Sequence, residues 1–172
     1  MAQPGAIGLI SVRGLIGFGI RTGELLLNGH DRKQHAFVLL DDGTLLEAKP
    51  GGAQINGLDE YAGLTISWID RPLSPAARAA VVAVARTKKG VQYNWWAYVW
   101  LGLTKIRIRP KVVLARVDNP NNAICSQLVD RIYQEARAQV SDPQDKTLLT
   151  LFNDGRDPGD VTPGDLWPLV TQ

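Results

Sequence analysis

Cysteine, histidine and excess charge are scarce in this sequence of 172 residues, and each scarcity excludes a class of protein. The single cysteine, Cys125, excludes an intrachain disulfide framework and a zinc site built on several cysteines. With only two histidines, a metal site would depend on carboxylates, and we predict neither a metal nor another cofactor. The 19 basic and 17 acidic residues leave a net charge of +2, too small to steer nucleic acid to the protein as a whole.

Long apolar runs are also missing, so the sequence predicts no membrane span. No window approaches the roughly 18 uncharged apolar residues that a spanning helix needs, and the longest apolar stretch, residues 14–20, contains three glycines. The first residues lack a basic segment ahead of an apolar run, so we predict no signal peptide. With 45% hydrophobic residues and neither linker nor repeat, residues 1–172 are expected to form one domain.

Hydrophobic periodicity and turn residues predict an α+β fold. Strands are predicted over 5–13, 35–40, 44–48, 64–69 and 106–117. Helices are predicted over 75–89, 94–103 and 124–137. Ser74 is expected to cap the first of these helices, because a serine side chain accepts hydrogen bonds from the first turn. Residues 50–52 are expected to end a hairpin over 35–48, and the tail from Asp154 is expected to be loop.

Cys125 is a candidate nucleophile because of its place in the predicted helix over 124–137. In the first turn, the positive end of the helix dipole stabilises a thiolate, which is the reactive form of cysteine. The alternative is an unreactive thiol that packs as a small hydrophobe in the core. The sequence around Cys125 leaves both interpretations open.

His35 and Glu47 are candidate partners for that thiol, provided that the hairpin has the right register. A three-residue turn with Gly43 in a left-handed conformation would pair Leu40 with Thr44. His35 and Glu47 would then share one face of the sheet as diagonal neighbours, roughly 7 Å apart at the backbone. A two-residue turn would shift the register by one and place them on opposite faces. The alternatives are a surface histidine and a solvated strand carboxylate.

Several segments resemble the permuted NlpC-type papain-like cysteine hydrolases of the YiiX-like branch. Residues 35–61, HAFVLLDDGTLLEAKPGGAQINGLDEY, resemble the hairpin that carries the family's histidine. Residues 123–136, AICSQLVDRIYQEA, resemble the cysteine helix, and residues 90–100 resemble the Gly-x-x-Tyr-Asn/Asp element. Residues 160–167, DVTPGDLW, are similar to a common C-terminal element, so the resemblance extends over most of the chain.

This resemblance implies a papain-like antiparallel sheet packed on the helix that carries the cysteine. It implies Cys125 as nucleophile, His35 as base and Glu47 as the third member, with Tyr93 as a substrate or oxyanion contact. The implied activity is thiol-dependent hydrolysis of amide bonds in peptidoglycan peptides, without a cofactor. The implied setting is a cell-wall or phage tail-associated lysin, which would be cytoplasmic in a bacterium or virion-associated, with a tail protein or another protein as partner.

Two other functions remain open besides amide-bond hydrolysis. Some permuted relatives act on acyl esters or lipid acyl groups as hydrolases or transferases, and a virion structural or assembly protein could keep the fold without catalysis. The segment 101–122 is longer and more basic than the resemblance implies. Its basic residues at 105, 107, 109 and 111 would line one side of a strand, either as a solvated edge or as a groove for an anionic polymer. Exposed aromatic residues do not alternate with them, so nucleic acid is not the expected partner.

Overall fold

A five-stranded antiparallel sheet organises the part of the fold that the structure describes. The computed structural model describes residues 1–11, 35–49, 51–93, 122–123, 125–152, 161 and 163–171. The strands are β1 (Ile7–Ile10), β2 (His35–Leu39), β3 (Thr44–Lys49), β4 (Gly52–Gly57) and β5 (Ser67–Ile69). Their order across the sheet is β4-β3-β2-β1-β5, and each neighbouring pair is antiparallel. A 3-10 helix, Leu58–Tyr61, follows β4.

Helices and a short parallel strand pair complete the described architecture, which is an α+β fold. The helices are α1 (Pro75–Thr87), α2 (Cys125–Gln139), α3 (Pro143–Leu148) and α4 (Pro163–Leu166), followed by a 3-10 helix over Trp167–Thr171. Strand β6 (Gln92–Tyr93) pairs in parallel with β7 (Asn122–Ala123), directly before α2. Among the helices of the described ranges, none is long and apolar enough to cross a membrane.

Both faces of the sheet are buried, so the central strands carry few exposed residues. Alternate strand residues point to opposite faces. On one face, residues such as Leu9, Val38 and Leu46 pack with α1 and α2 in the main core. On the other face, Phe37 and Tyr61 belong to a smaller cluster completed by Ile10 and Leu45. This two-sided burial explains why every residue of β1 and β2 is buried.

The helix predicted over 75–89 begins where expected, but it ends two residues earlier than predicted, at Thr87. The Ser74 side chain accepts a hydrogen bond from the Ala77 N–H at 3.1 Å, and Pro75 occupies the first turn. The helix ends at Thr87, because Lys88 serves as the C-cap and Gly90 adopts a left-handed φ of 88°. The predicted helix around Cys125 is also present, as α2.

Strand β4 was not predicted, and the predictions for the tail and for the strand over 64–69 are only partly right. The chain turns at Gly51 as expected, but Gly52 begins strand β4, which was not predicted because Pro50, Gly51 and Gly52 are typical of a turn and only Ala53 and Ile55 supply apolar side chains after it. The tail is not loop throughout, since residues 163–171 form α4 and a 3-10 helix. The predicted strand over 64–69 begins only at Ser67. The predictions over 94–103 and 106–117, including the basic side chains, lie outside the described residues.

Candidate active site

The turn between β2 and β3 sets the register that brings His35 and Glu47 together. Asp41, Asp42 and Gly43 form the turn, and Gly43 has a φ of 78°. The Leu40 N–H donates to the Thr44 carbonyl at 2.8 Å. Phe37 pairs with Glu47, as the three-residue turn predicts. A non-glycine residue disfavours this left-handed conformation. A local turn preference therefore places the histidine and the carboxylate on one face.

Glu47 lies fully buried at the centre of a hydrogen-bond network. Its Oε2 accepts hydrogen bonds from His35 Nε2 at 2.5 Å and from the Tyr61 hydroxyl. Its Oε1 accepts from Asn56 Nδ2 at 2.7 Å and from Lys49 Nζ at 2.8 Å. An ionised carboxylate offers about four acceptor positions, so these four donors satisfy it completely.

These donors decide the charge of Glu47. Burial alone would raise the pKa of this carboxyl, but the hydrogen bond and charge of His35, with the hydrogen bonds of Lys49 and Tyr61, lower it to about 2. A buried charge is tolerated where it is paired and hydrogen-bonded. Glu47 is therefore an anion over the whole physiological range of pH.

His35 lies between Glu47 and Cys125. Burial would lower the pKa of this imidazole, but hydrogen bonds to Cys125 and Glu47 and their negative charges raise it to about 9. Nε2 is the ring nitrogen that faces Glu47. His35 is the first residue of β2, where the strand end meets both groups. At neutral pH the site therefore favours an imidazolium held between two acceptors.

Cys125 is the first residue of α2, and it is 1% exposed. Helix α2 packs against β2, β3 and α1, and this packing places the thiol next to His35. The first turn of α2 contains no acidic residue that would oppose a negative sulfur. The thiol also belongs to the main core cluster. Its position thus combines the features of a nucleophile with those of a packed core cysteine.

Aromatic residues cover the network on the face of the sheet away from the helices. The rings of Phe37 and Tyr61 stack, with centroids 5.6 Å apart, and Trp68 meets Phe37 edge-on at 5.7 Å. The rings of His35 and Tyr61 lie 6.2 Å apart. Such apolar cover lowers the local dielectric, which strengthens the hydrogen bonds to Glu47.

Tyr93, the fourth predicted site residue, lies close to the cysteine helix in the backbone trace. It pairs with Ala123 in the parallel ladder of β6 and β7, two residues before Cys125. Val91, two residues before Tyr93, accepts a hydrogen bond from the Ala53 N–H at 2.7 Å, and this bond connects the segment to β4. The role of Tyr93 as a substrate contact stays a prediction.

Three members of the network were not assigned to the site from the sequence. Asn56 lies on β4, the strand that was not predicted. Tyr61 stands within the segment that resembles the histidine hairpin, but nothing in its spacing reveals a bond to Glu47. Lys49 falls opposite His35 in the predicted register, and this is the one signal that could have found it.

Lys49 connects the buried network to the surface. Its ammonium group contacts both Glu47 and Glu60, and it lies 5.3 Å from the centroid of the Tyr61 ring. The side chain of Glu60 is 47% exposed, whereas that of Glu47 has no exposure. Charges therefore alternate from Glu60 through Lys49 and Glu47 to His35.

The described ranges contain no group of three His, Cys, Asp or Glu side chains that could hold a metal ion. The chemistry open to the described side chains is that of a thiol, an imidazole and a carboxylate in series. Comparison with known proteins adds no family to this description: no family model matches the chain, and no curated protein matches its sequence.

Proposed function

We propose that this protein is a thiol-dependent amide-bond hydrolase with a papain-like core formed by the sheet and α2. One observation carries the proposal: His35 Nε2 lies 2.5 Å from Glu47 Oε2, and Cys125 is close enough to raise the pKa of the same imidazole. A nucleophile, a base and a group that orients the base make up the catalytic triad of many hydrolases. In this assignment Cys125 is the nucleophile, His35 the general acid and base, and Glu47 the orienting anion.

The proposed reaction has two steps. In the first, the Cys125 sulfur attacks the substrate carbonyl carbon, the C–N bond breaks, and His35 gives its proton to the leaving amine. In the second, His35 takes a proton from water, and the resulting hydroxide attacks the thioester. The C–S bond then breaks, releasing the carboxylic acid and the sulfur. Neither step needs a cofactor.

The backbone at the start of α2 would stabilise the oxyanion of both steps. The first N–H groups of a helix have no partner within the helix, and Cys125 is the first residue of α2. A backbone N–H aimed at the developing oxyanion is a usual source of stabilisation in acyl transfer. We assign this role to the N–H of Cys125, and a substrate contact to Tyr93.

The proposed substrate class follows from the resemblance to the permuted NlpC-type hydrolases. That family resemblance favours the stem or cross-bridge peptides of bacterial peptidoglycan, with the protein acting as a cell-wall or phage tail-associated lysin. Acyl esters and lipid acyl groups are the alternative substrates within the same chemistry. A panel of nitrophenyl esters and peptidoglycan peptides separates the two, because only an acyl-group enzyme prefers long-chain esters.

The burial of Cys125 favours a second candidate function. A free cysteine with 1% exposure that packs with the main core is typical of a structural thiol. A virion structural or assembly protein with this fold would leave the thiol unused. The two candidates differ in the reactivity of Cys125, which the hydrolase requires and the structural protein does not.

The decisive experiment compares hydrolysis of purified peptidoglycan by the wild type and by folded variants. We expect Cys125→Ala to release amino groups at least about 100-fold more slowly than the wild type. Glu135→Gln is the matched control, because it breaks an exposed ion pair with Lys88. The control should retain full activity. Equal activity of the wild type and Cys125→Ala would contradict the proposal.

A further inference from the structure

Glu47 divides its two oxygens between two cations. Oε2 accepts from His35 Nε2 at 2.5 Å, and Oε1 accepts from Lys49 Nζ at 2.8 Å. Each oxygen also has one neutral donor, the Tyr61 hydroxyl on Oε2 and the Asn56 amide on Oε1. The carboxylate is thus shared by an imidazolium and an ammonium.

This sharing matters because the proposed base must both hold and release a proton. A general acid and base works best when its pKa lies near the operating pH. A carboxylate that served His35 alone would bind the imidazolium more tightly and hold back its proton. A second cation on the same carboxylate opposes this, because it disfavours another positive charge nearby.

We propose that Lys49 is a positioning residue of this site, which draws the charge of Glu47 away from His35 and so keeps the imidazole able to give up its proton. The inference rests on the proposed function, and it names a residue that acts through Glu47 and not on the substrate. Glu60 holds Lys49 from the other side, so the ammonium group stays at the carboxylate.

The groups that face the His35–Glu47 pair come from several elements. Lys49 lies on β3, Tyr61 and Glu60 on the 3-10 helix after β4, and Cys125 on α2. Asn56 on β4 is neutral at every pH. Among the charged groups facing this pair in the described ranges, Lys49 is the one cation other than His35 itself.

The direction of a pKa change distinguishes this role from a merely structural one. In Lys49→Met the apolar stem remains and the charge is lost, so Glu47 serves His35 alone and the titration midpoint of His35 should rise by about 0.5 to 1 pH unit. A variant that only loosened the site would instead lower the midpoint toward the ordinary value near ~6.5. The two explanations therefore predict opposite signs.

The experiment is an NMR titration of the two histidine rings in the full chain. The His30 resonance is assigned by its loss in His30→Gln, and the His35 midpoint is then measured in wild type, Lys49→Met and Lys49→Arg. The matched control is Lys88→Met, which removes another lysine from an ion pair with Glu135. We expect a raised midpoint in Lys49→Met only, with Lys49→Arg close to the wild type because it keeps the charge.

An unchanged or lowered midpoint in folded Lys49→Met overturns the role of Lys49. The proposed function is tested separately, by hydrolysis that depends on Cys125. If the midpoint rises but no variant or wild type hydrolyses an amide or ester, the control of the His35 proton by Lys49 is supported and the hydrolase proposal fails. If hydrolysis depends on Cys125 but the midpoint does not rise, the hydrolase is supported and the inference on Lys49 fails.

Discussion

Replacing Glu47 by glutamine should remove both the stability and the pH dependence that the buried pair confers. The substitution keeps the size of the side chain but removes the negative charge that pairs with His35 and Lys49. It also places an amide donor where four donors already converge. We expect the variant to fold with lower stability. The pKa of His35 should also fall, because Glu47 no longer stabilises the imidazolium.

The size of the effect follows from the pKa values of the pair. The pKa of Glu47 is lowered from 4.5 to about 2, against its burial, by the donors around it. A change of one in pKa corresponds to about 1.4 kcal/mol, so the free energy of unfolding should fall by about 3 kcal/mol in the variant. Removing one partner of a buried ion pair costs a similar amount, about 3–5 kcal/mol. The shift on His35 reflects partly the same interaction, so the two are not added.

The pH range follows from the sign of each shift. The lowered pKa of Glu47 gives stability that is present above about 4.5 and is lost as the pH falls toward about 2. The raised pKa of His35, which Cys125 and Glu47 cause against burial, gives stability that is present below 6.5 and is lost as the pH rises through about 9. The wild type should therefore be most stable between about pH 4.5 and 6.5.

The assay is urea unfolding followed by tryptophan fluorescence at pH 5.5 and pH 9.5. The wild type should lose about 3 kcal/mol between these values, and Glu47→Gln clearly less. Glu135→Gln, which removes a carboxylate from an exposed ion pair, should cost under about 1 kcal/mol at either pH. A wild type with equal stability at both values, or a Glu47→Gln variant with the full wild-type pH dependence, would refute the reasoning.

The remaining predictions concern the thiol, the aromatic donor and a helix cap. Iodoacetamide should label Cys125 faster in the wild type than in His35→Ala, as read by mass spectrometry, because a neighbouring base activates the thiol; equal labelling of the two would favour the structural protein. Tyr61→Phe should lower the free energy of unfolding by about 2 kcal/mol in urea titrations, because it removes a buried donor to the charged Glu47, and no loss would contradict the network. Ser74→Ala should lower the thermal midpoint and cost about 1 kcal/mol, because the first turn of α1 loses its cap; an unchanged midpoint would count against the cap.

Much of the hairpin that carries the site can be predicted from the sequence, because short-range rules decide it. The three-residue turn ending at Gly43 sets the register, and strand alternation then puts His35 and Glu47 on one face. The contacts that complete Glu47 could not be predicted in the same way. Asn56 lies on a short strand whose only apolar side chains are those of Ala53 and Ile55, and its place depends on pairing with β3.

Part of this site depends on preferences between neighbouring residues, and the rest depends on packing between distant segments. Short-range patterns in the sequence predict the turn, the strand and helix periodicities, the cap at Ser74 and the place of Cys125 in the first turn of its helix. The packing of distant segments brings Cys125 close to His35, brings Tyr61 and Lys49 to Glu47, and buries the thiol. Local preferences act between residues a few positions apart. Contacts between distant segments form only when the packing of α2 against β2 and β3 outweighs the entropy of closing the chain between them.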